Sequence, residues 1–190
     1  MRAPRFWRRF FFIATKQETA HMETALLVID MQRSLLDEGP WEKDRLLDNV
    51  GLLIERARSA GAPVLFVCDT RVGPDAAIDH GLGQEAGDSV IYKDFCDSFL
   101  GTRLHSWLRD AGMKRLVVCG MQTDYCIDTT CRRAASLGYG VRLASDAHST
   151  FDHEALPADR IVAHHNRILR SFPAGAGHVG TIASAEVGFA

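Results

Sequence analysis

Short apolar runs alternate along this chain with longer segments in which apolar residues recur at helical spacing. The apolar runs predict buried strands at residues 25–29, 64–68, 89–92, 115–119 and 141–144, with a weaker strand near 179–182. Helical patterns lie between them, at residues 46–57, 102–112, 123–137 and after Pro157, whereas residues 69–87 have no clear period. This alternation predicts an α/β fold with three layers (α/β/α) around a mostly parallel, Rossmann-like sheet of about six strands.

The charge of the chain is unevenly distributed. Residues 1–22 carry five basic residues against one acidic residue, a local net charge of +4, and the other 168 residues carry 17 basic and 23 acidic residues, a net charge of −6. The apolar cluster at residues 10–13 is shorter than the roughly 7–15 residues of a signal-peptide core. We therefore expect residues 1–22 to be a disordered extension or leader and residues 23–190 to form one domain.

Composition excludes several classes of protein. The formal net charge is −2, so the chain lacks the basic field that binds nucleic acid. No apolar run approaches the roughly 18 residues of a membrane-spanning helix. The five cysteines (68, 96, 119, 126 and 131) form no CxxC pair, which favours free thiols and a cytoplasmic protein.

Three reactive side chains follow predicted strands. Asp30 comes after the first, Lys93 after the third, and Cys126 in the turn after the fourth. Because ligands of open α/β sheets bind at the carboxyl ends of the strands, we expect these side chains to converge on one crevice. With Thr123 as N-cap, Cys126 would lie in a first helical turn, where the helix terminus and Lys93 would lower the pKa of the thiol.

The other four cysteines have no comparable setting. Cys68 and Cys119 lie inside predicted apolar strands, and Cys96 and Cys131 have no evident helper residue. We expect all four to be small packing residues rather than nucleophiles.

The segments LLVIDMQ, VIYKDFCDSFLGT and VVCGMQTDYCIDTTCRRAASLGYGVRLASDAHST resemble the isochorismatase-like cysteine hydrolase superfamily, whose members include nicotinamidases, carbamoylsarcosine amidases and streptothricin hydrolases. The resemblance covers residues 24–190. It implies a catalytic Asp30–Lys93–Cys126 triad, a cis peptide bond at Met121–Gln122, and an oxyanion hole formed by the backbone N–H groups of Gln122 and Cys126. It also implies a homodimer or a larger homo-oligomer.

The chain departs from some members of that superfamily. Nicotinamidases hold a metal with an Asp-x-His pair and a second histidine, whereas this chain has Asp69-Thr70-Arg71 and His80 alone in the following loop. We therefore expect neither a metal nor another cofactor. True isochorismatases cleave a vinyl ether without a nucleophilic cysteine, so the presence of Cys126 favours acyl transfer.

The expected function is hydrolysis of a C–N bond in a small amide, lactam or ureido compound through a thioester on Cys126. Candidate substrate-binding residues are Gln32, which could instead orient a neighbouring group, and Trp41, Phe95 and His148. Two alternatives stay open: a catalytically silent domain that binds a small ligand, and a vinyl ether hydrolase.

Overall fold

A computed structural model describes residues 22–189 of the chain. The expectation of a disordered leader at residues 1–22 falls, apart from Met22, outside the described residues. Within residues 22–189, seven strands form one sheet in the order β3-β2-β1-β4-β5-β7-β6. The strands are β1 (Thr24–Ile29), β2 (Val64–Asp69), β3 (Ser89–Lys93), β4 (Arg115–Met121), β5 (Gly140–Ser149), β6 (Ser171–Ala174) and β7 (Gly177–Ile182).

Neighbouring strands are parallel, except that β6 runs antiparallel to β7 at the edge of the sheet. The predicted α/β fold is confirmed. The sheet has one strand more than expected, because β6 is only four residues long, contains Pro173 and has no fully buried residue.

The helices cover both faces of the sheet. They are α1 (Arg33–Asp37), α2 (Lys43–Ser59), α3 (Leu104–Asp110), α4 (Asp128–Ser136) and α5 (Ala158–Leu169). Alternate residues of β1 point to opposite faces: Leu27 and Ile29 pack in the cluster that contains α3 and α4, and Leu26 and Val28 in the cluster that contains α2. Both faces of β1 are therefore buried, which explains its uninterrupted apolar sequence. None of the helices among residues 22–189 is long and apolar enough to cross a membrane.

The strand order reverses beside β1, because β2 pairs with one of its edges and β4 with the other. Asp30 follows β1, Lys93 ends β3 and Cys126 follows β4, so all three lie at the carboxyl ends of strands. In an open α/β sheet, the crevice at such a reversal is where ligands bind.

Gly120 lets β4 approach β1 closely. The sequence predicts that this strand ends at residue 119, but β4 continues through Gly120 to Met121. Gly120 has a φ of +113°, and an added Cβ would lie 2.0 Å from the carbonyl oxygen of Ile29. Only glycine can adopt this conformation and tolerate this contact. The extension of β4 to Met121 also determines where the following turn, which carries Cys126, begins.

Candidate active site

Lys93 lies at the centre of the candidate site. Its Nζ is 2.8 Å from Asp30 Oδ2 and 3.2 Å from Cys126 Sγ. The same Nζ is 3.2 Å from Asp69 Oδ2. All four residues are buried. The structure therefore brings the three sequence-predicted residues together and adds a second carboxylate, that of Asp69.

The sheet explains why a lysine serves this position. Lys93 ends β3, β3 pairs with β2, and β2 pairs with β1, which precedes Asp30. Neighbouring strands lie about 4.8 Å apart, so the ammonium must cross two strand spacings, and a long side chain is needed. Asp69, the last residue of β2, pairs with Lys93 in the parallel register and lies beneath that path.

Asp30 has an uncommon backbone conformation, with a φ of +52°. Positive φ is unfavourable for a residue with a side chain and is found mostly where function or tight structure requires it. The Oδ1 atom of Asp30 is buried and has no hydrogen-bond partner within the described part of the chain. A carboxylate oxygen of Asp30 also lies within 4.8 Å of Cys126 Sγ, so the acid stands next to the thiol with an unused acceptor.

Burial changes the charge state expected for the thiol. Burial and the neighbouring Asp30 carboxylate raise the pKa of Cys126 above its ordinary value, and Lys93 opposes them only in part. The expectation of a lowered pKa was wrong, because it counted the helix terminus and the ammonium but not the loss of hydration. Burial likewise raises the pKa of Asp30 more than Lys93 lowers it. The resting pair is thus a thiol beside a carboxylate that is more basic than usual.

The two remaining charged groups stay ionised. Burial alone would lower the pKa of Lys93, but Asp30 and Cys126 outweigh it and raise that pKa. Burial alone would raise the pKa of Asp69, but hydrogen bonds from Arg71 outweigh it and hold that pKa well below its usual range.

Cys126 does not lie in an ordinary helical first turn. Residues Thr123–Ile127 form a π-helical turn, and α4 begins only at Asp128. Thr123 was expected to cap the helix, but its side chain makes no capping bond there. Its Oγ1 lies 2.9 Å from Nδ1 of the buried His148, which ties this turn to β5. The peptide bond between Met121 and Gln122, immediately before the turn, is cis.

The thiol opens on a cavity of about 430 Å³. Its lining residues are Asp30, Leu35, Asp69, Arg71, Val72, Cys96, Gln122, Tyr125, Cys126 and His153. This volume is in the range of small-molecule sites, about 300–1,000 Å³. Lys93 lies beneath the cavity rather than in its lining.

Four residues were suggested by sequence for substrate contact, and none of them is among the described residues that line the cavity at Cys126. Gln32 is buried and pairs with the backbone of Asp69, donating from Nε2 at 3.0 Å and accepting at Oε1 at 2.9 Å. It therefore orients Asp69, which is the alternative role expected for it. Trp41 and His148 line a separate cavity of about 210 Å³. Phe95 is 52% exposed and is not among the described residues that line the cavity at Cys126.

His148 has no free ring nitrogen for a substrate. Nδ1 lies 2.9 Å from Thr123 Oγ1 and Nε2 lies 3.1 Å from Asn166 Oδ1. Burial lowers the pKa of His148 to about 4, so the ring is neutral at neutral pH. These contacts favour a structural role for His148 behind the turn that carries Cys126.

Sequence reasoning did not single out several cavity residues. Asp69 carries the same signal as Asp30, a carboxylate at the end of a buried strand. Cys96, expected to be a packing residue, is only half-buried and lines the cavity beside Cys126. Tyr125 and His153 also line it, and no periodicity or motif distinguishes His153. The other three cysteines are buried, as expected.

The residues present fit an ammonium better than a metal ion. Ligand atoms of Asp30, Asp69 and Cys126 lie within 4.8 Å of one another, close enough to hold a cation. Lys93 Nζ already contacts all three, and a divalent ion beside it would be repelled. The Arg71 guanidinium binds Asp69, and His80 Nε2 lies 2.9 Å from Arg33 rather than in the cavity at Cys126.

Comparison with known proteins places the chain in a family. The isochorismatase domain model matches residues 24–164. An uncharacterised isochorismatase family protein of Bacillus subtilis, YddQ, is 34% identical over 157 residues, which are 74% of this chain and 87% of that protein. A streptothricin hydrolase of Streptomyces noursei is 37% identical over 145 residues, which are 70% of this chain and 52% of that protein.

A solved structure agrees with these matches. The crystal structure of an isochorismatase from Pseudomonas putida KT2440 has a TM-score of 0.78 and 26% identity, covering 87% of this chain and 90% of that one. The domain match and the identities to these relatives show that the chain belongs to the isochorismatase family.

Proposed function

We propose that this protein is a cysteine hydrolase that cleaves a C–N bond of a small amide, lactam or ureido compound through a thioester on Cys126. One observation carries the proposal: the buried Lys93 ammonium contacts both Asp30 and Cys126 directly beneath a cavity of about 430 Å³. An acid, an amine and a thiol within reach of one another are the parts that nucleophilic catalysis needs.

The first half of the reaction forms the thioester. Asp30 accepts the thiol proton as Cys126 Sγ attacks the carbonyl carbon of the substrate. The oxyanion accepts hydrogen bonds from the backbone N–H groups of Gln122 and Cys126, the positions implied by the family resemblance. As the C–N bond breaks, Asp30 returns the proton to the nitrogen. An amine or ammonia then leaves, or, in a lactam, the ring opens and the free amine stays attached to the acyl chain.

The second half regenerates the enzyme. A water molecule gives its proton to Asp30 and attacks the thioester carbonyl, and the C–S bond breaks. The proton on Asp30 then returns to Cys126, and the carboxylic or carbamic acid leaves. Lys93 stays protonated throughout and stabilises the negative charge that moves between Asp30 and the sulfur.

The raised pKa values of Asp30 and Cys126 support this sequence. A thiol that rests protonated must lose its proton as it attacks, and a carboxylate more basic than usual is a suitable acceptor. The relative that is a streptothricin hydrolase also supports hydrolase chemistry, although this chain spans about half of its length. A cytoplasmic location and a homodimer or larger homo-oligomer stay predictions.

The test is a panel of small amides, lactams and ureido compounds, with the formation of a free amino group or of ammonia as the readout. We expect Cys126→Ala and Cys126→Ser to lose at least about a thousandfold in kcat. Cys96→Ala is the matched control, because it removes a second thiol from the lining of the same cavity and should retain most activity.

Three results would contradict the proposal. Turnover of an amide by Cys126→Ala at near wild-type rate would exclude a thioester. Hydrolysis of a vinyl ether that does not depend on Cys126, with no amide turned over, would favour the alternative vinyl ether hydrolase. Binding without turnover by the wild-type protein would favour the silent domain.

A further inference from the structure

The side chains of Asp69 and Arg71 are joined by an extensive set of hydrogen bonds. Asp69 Oδ1 accepts from the backbone N–H of Arg71 and from its Nε, both at 2.9 Å. Asp69 Oδ2 accepts from Arg71 Nη2 at 2.5 Å and from Lys93 Nζ at 3.2 Å. The Asp69 side chain is 7% exposed, whereas that of Arg71 is 59% exposed. Arg71 thus holds from the solvent side a carboxylate whose other face contacts the catalytic ammonium.

The backbone of Asp69 is held as firmly as its side chain. The buried Gln32 amide donates to the carbonyl oxygen of Asp69 and accepts from its N–H. The carboxylate therefore has little freedom to leave Lys93, and the ammonium is shared among Asp30, Asp69 and Cys126.

We propose that Asp69 and Arg71 are a positioning pair that controls how strongly Lys93 acts on Cys126. Asp69 competes with Cys126 for the electrostatic interaction with the Lys93 ammonium. Arg71 partly neutralises the Asp69 carboxylate and so weakens this competition. The inference rests on the proposed function in one respect, that Cys126 is the nucleophile. Neither Asp69 nor Arg71 takes part in bond making.

Few charged groups lie near the thiol. Asp30, Asp69 and Lys93 surround it from the ends of β1, β2 and β3. Four more charged or titratable groups line the same cavity, those of Arg71, Cys96, Tyr125 and His153. The acidic residues of its own segment are occupied elsewhere: Asp124 with Thr150 and His153, and Asp128 with Arg132. Removing Asp69 or Arg71 should therefore change how readily the Cys126 thiolate forms, in a direction set by the charge that is removed.

The two substitutions have opposite expected effects. Asp69→Asn removes a competing negative charge, so Lys93 should stabilise the thiolate more strongly. Arg71→Ala leaves the Asp69 carboxylate unopposed, so the thiolate should be harder to form. A charge about 4–6 Å from a titrating group shifts its midpoint by about one pH unit or more. If the substitutions only disturbed the structure, both variants should shift the titration midpoint of Cys126 in the same direction.

The experiment measures alkylation of Cys126 by iodoacetamide, site by site with peptide mass spectrometry, between pH 6 and 10. We expect Asp69→Asn to alkylate roughly tenfold faster than wild type below the midpoint and Arg71→Ala roughly tenfold slower. In the Asp69→Asn background, Arg71→Ala should change the rate less than about threefold, because Arg71 acts through Asp69. Arg71→Lys, which keeps the charge, should recover most of the rate.

Matched controls come from a second arginine–aspartate pair. Arg58 Nη2 lies 2.5 Å from Asp88 Oδ2, and the Asp88 side chain is also 7% exposed. Arg58→Ala and Asp88→Asn should leave the alkylation profile unchanged.

Some results would overturn the inference. One is a change of the alkylation rate in the same direction in Asp69→Asn and Arg71→Ala. Another is an effect of Arg71→Ala that is as large in the Asp69→Asn background as in wild type. The third is a Cys126 thiol that never reacts with iodoacetamide in the folded wild-type protein. The assay needs no substrate. Failure of the amide panel with the expected alkylation pattern would therefore overturn the proposed function and leave the positioning pair intact.

Discussion

Replacing Lys93 with methionine removes a buried cation but keeps most of the apolar length of the side chain. The ammonium contacts Asp30 Oδ2 at 2.8 Å and Asp69 Oδ2 at 3.2 Å. In the variant, the two carboxylates would face each other within 4.8 Å without the cation that they share. We expect Lys93→Met to be less stable than wild type, by an amount that depends on pH.

The size of the effect follows from that separation. Two like charges no more than 4.8 Å apart repel by about 3.5 kcal/mol or more at an effective dielectric constant of about 20. Removing one partner of a buried ion pair typically costs about 3–5 kcal/mol, which agrees with this figure. The loss should be largest where both carboxylates are ionised. Burial raises the pKa of Asp30, and loss of Lys93 raises it further, so Asp30 takes up a proton as the pH falls and the repulsion disappears.

The assay is urea unfolding of wild type and Lys93→Met at pH 8 and pH 5, followed by circular dichroism. At pH 8 we expect the free energy of unfolding to fall by about 3–5 kcal/mol, and at pH 5 by clearly less. Lys93→Met combined with Asp30→Asn should recover much of the loss at pH 8. A deficit below about 1 kcal/mol at pH 8, or one that is equal at both pH values, would refute the reasoning.

Three further predictions concern the support of the site. Burial lowers the pKa of His148 to about 4, below its unfolded value, so the free energy of unfolding of wild type should fall by up to about 3 kcal/mol between about pH 6.5 and pH 4. In urea unfolding at a series of pH values, His148→Gln should lack this part of the pH dependence. An unchanged pH dependence would contradict the prediction. Gln32→Ala should lower the free energy of unfolding by about 2–4 kcal/mol in the same assay, because two buried backbone groups of Asp69 lose their hydrogen-bond partners. The control is Gln84→Ala at an exposed position, and equal effects of the two substitutions would contradict the prediction. Gly120→Ala should prevent folding, since its Cβ would lie 2.0 Å from a backbone oxygen of β1. The control is Gly51→Ala in a helix, where nothing lies within 4 Å of the added Cβ and the free energy of unfolding should rise by about 1 kcal/mol. A folded Gly120→Ala variant of normal thermal stability would contradict the prediction.

The parallel sheet could be predicted from sequence because its central strands are buried on both faces. Such strands appear as short apolar runs, as at residues 25–29 and 64–68. The antiparallel edge strand β6 could not, since its exposed residues and Pro173 resemble a loop. The five-residue helix α1 was also missed, because it has no side-chain capping bond and only Leu36 is buried.

The positions of the three reactive side chains followed from topology, but their surroundings did not. The contact of Asp69 with Lys93 crosses from β2 to β3, and no local pattern in the sequence records it. His148 was expected beyond the end of β5. The strand instead continues to Ser149 past an irregularity in its pairing with β4, and this places His148 opposite Gly120. The raised pKa of Cys126 is likewise a consequence of burial, which is a property of the folded chain.

The central claim is that Cys126 forms a covalent bond with the substrate. The most direct measurement is peptide mass spectrometry of the wild-type protein, quenched in acid during turnover of the best amide in the panel. We predict an acyl group on Cys126 and none on Cys96, and no acyl group in Cys126→Ser, which has a hydroxyl in place of the thiol. Steady turnover with no acyl group on Cys126 at any quench time, together with an active Cys126→Ala variant, would contradict the account.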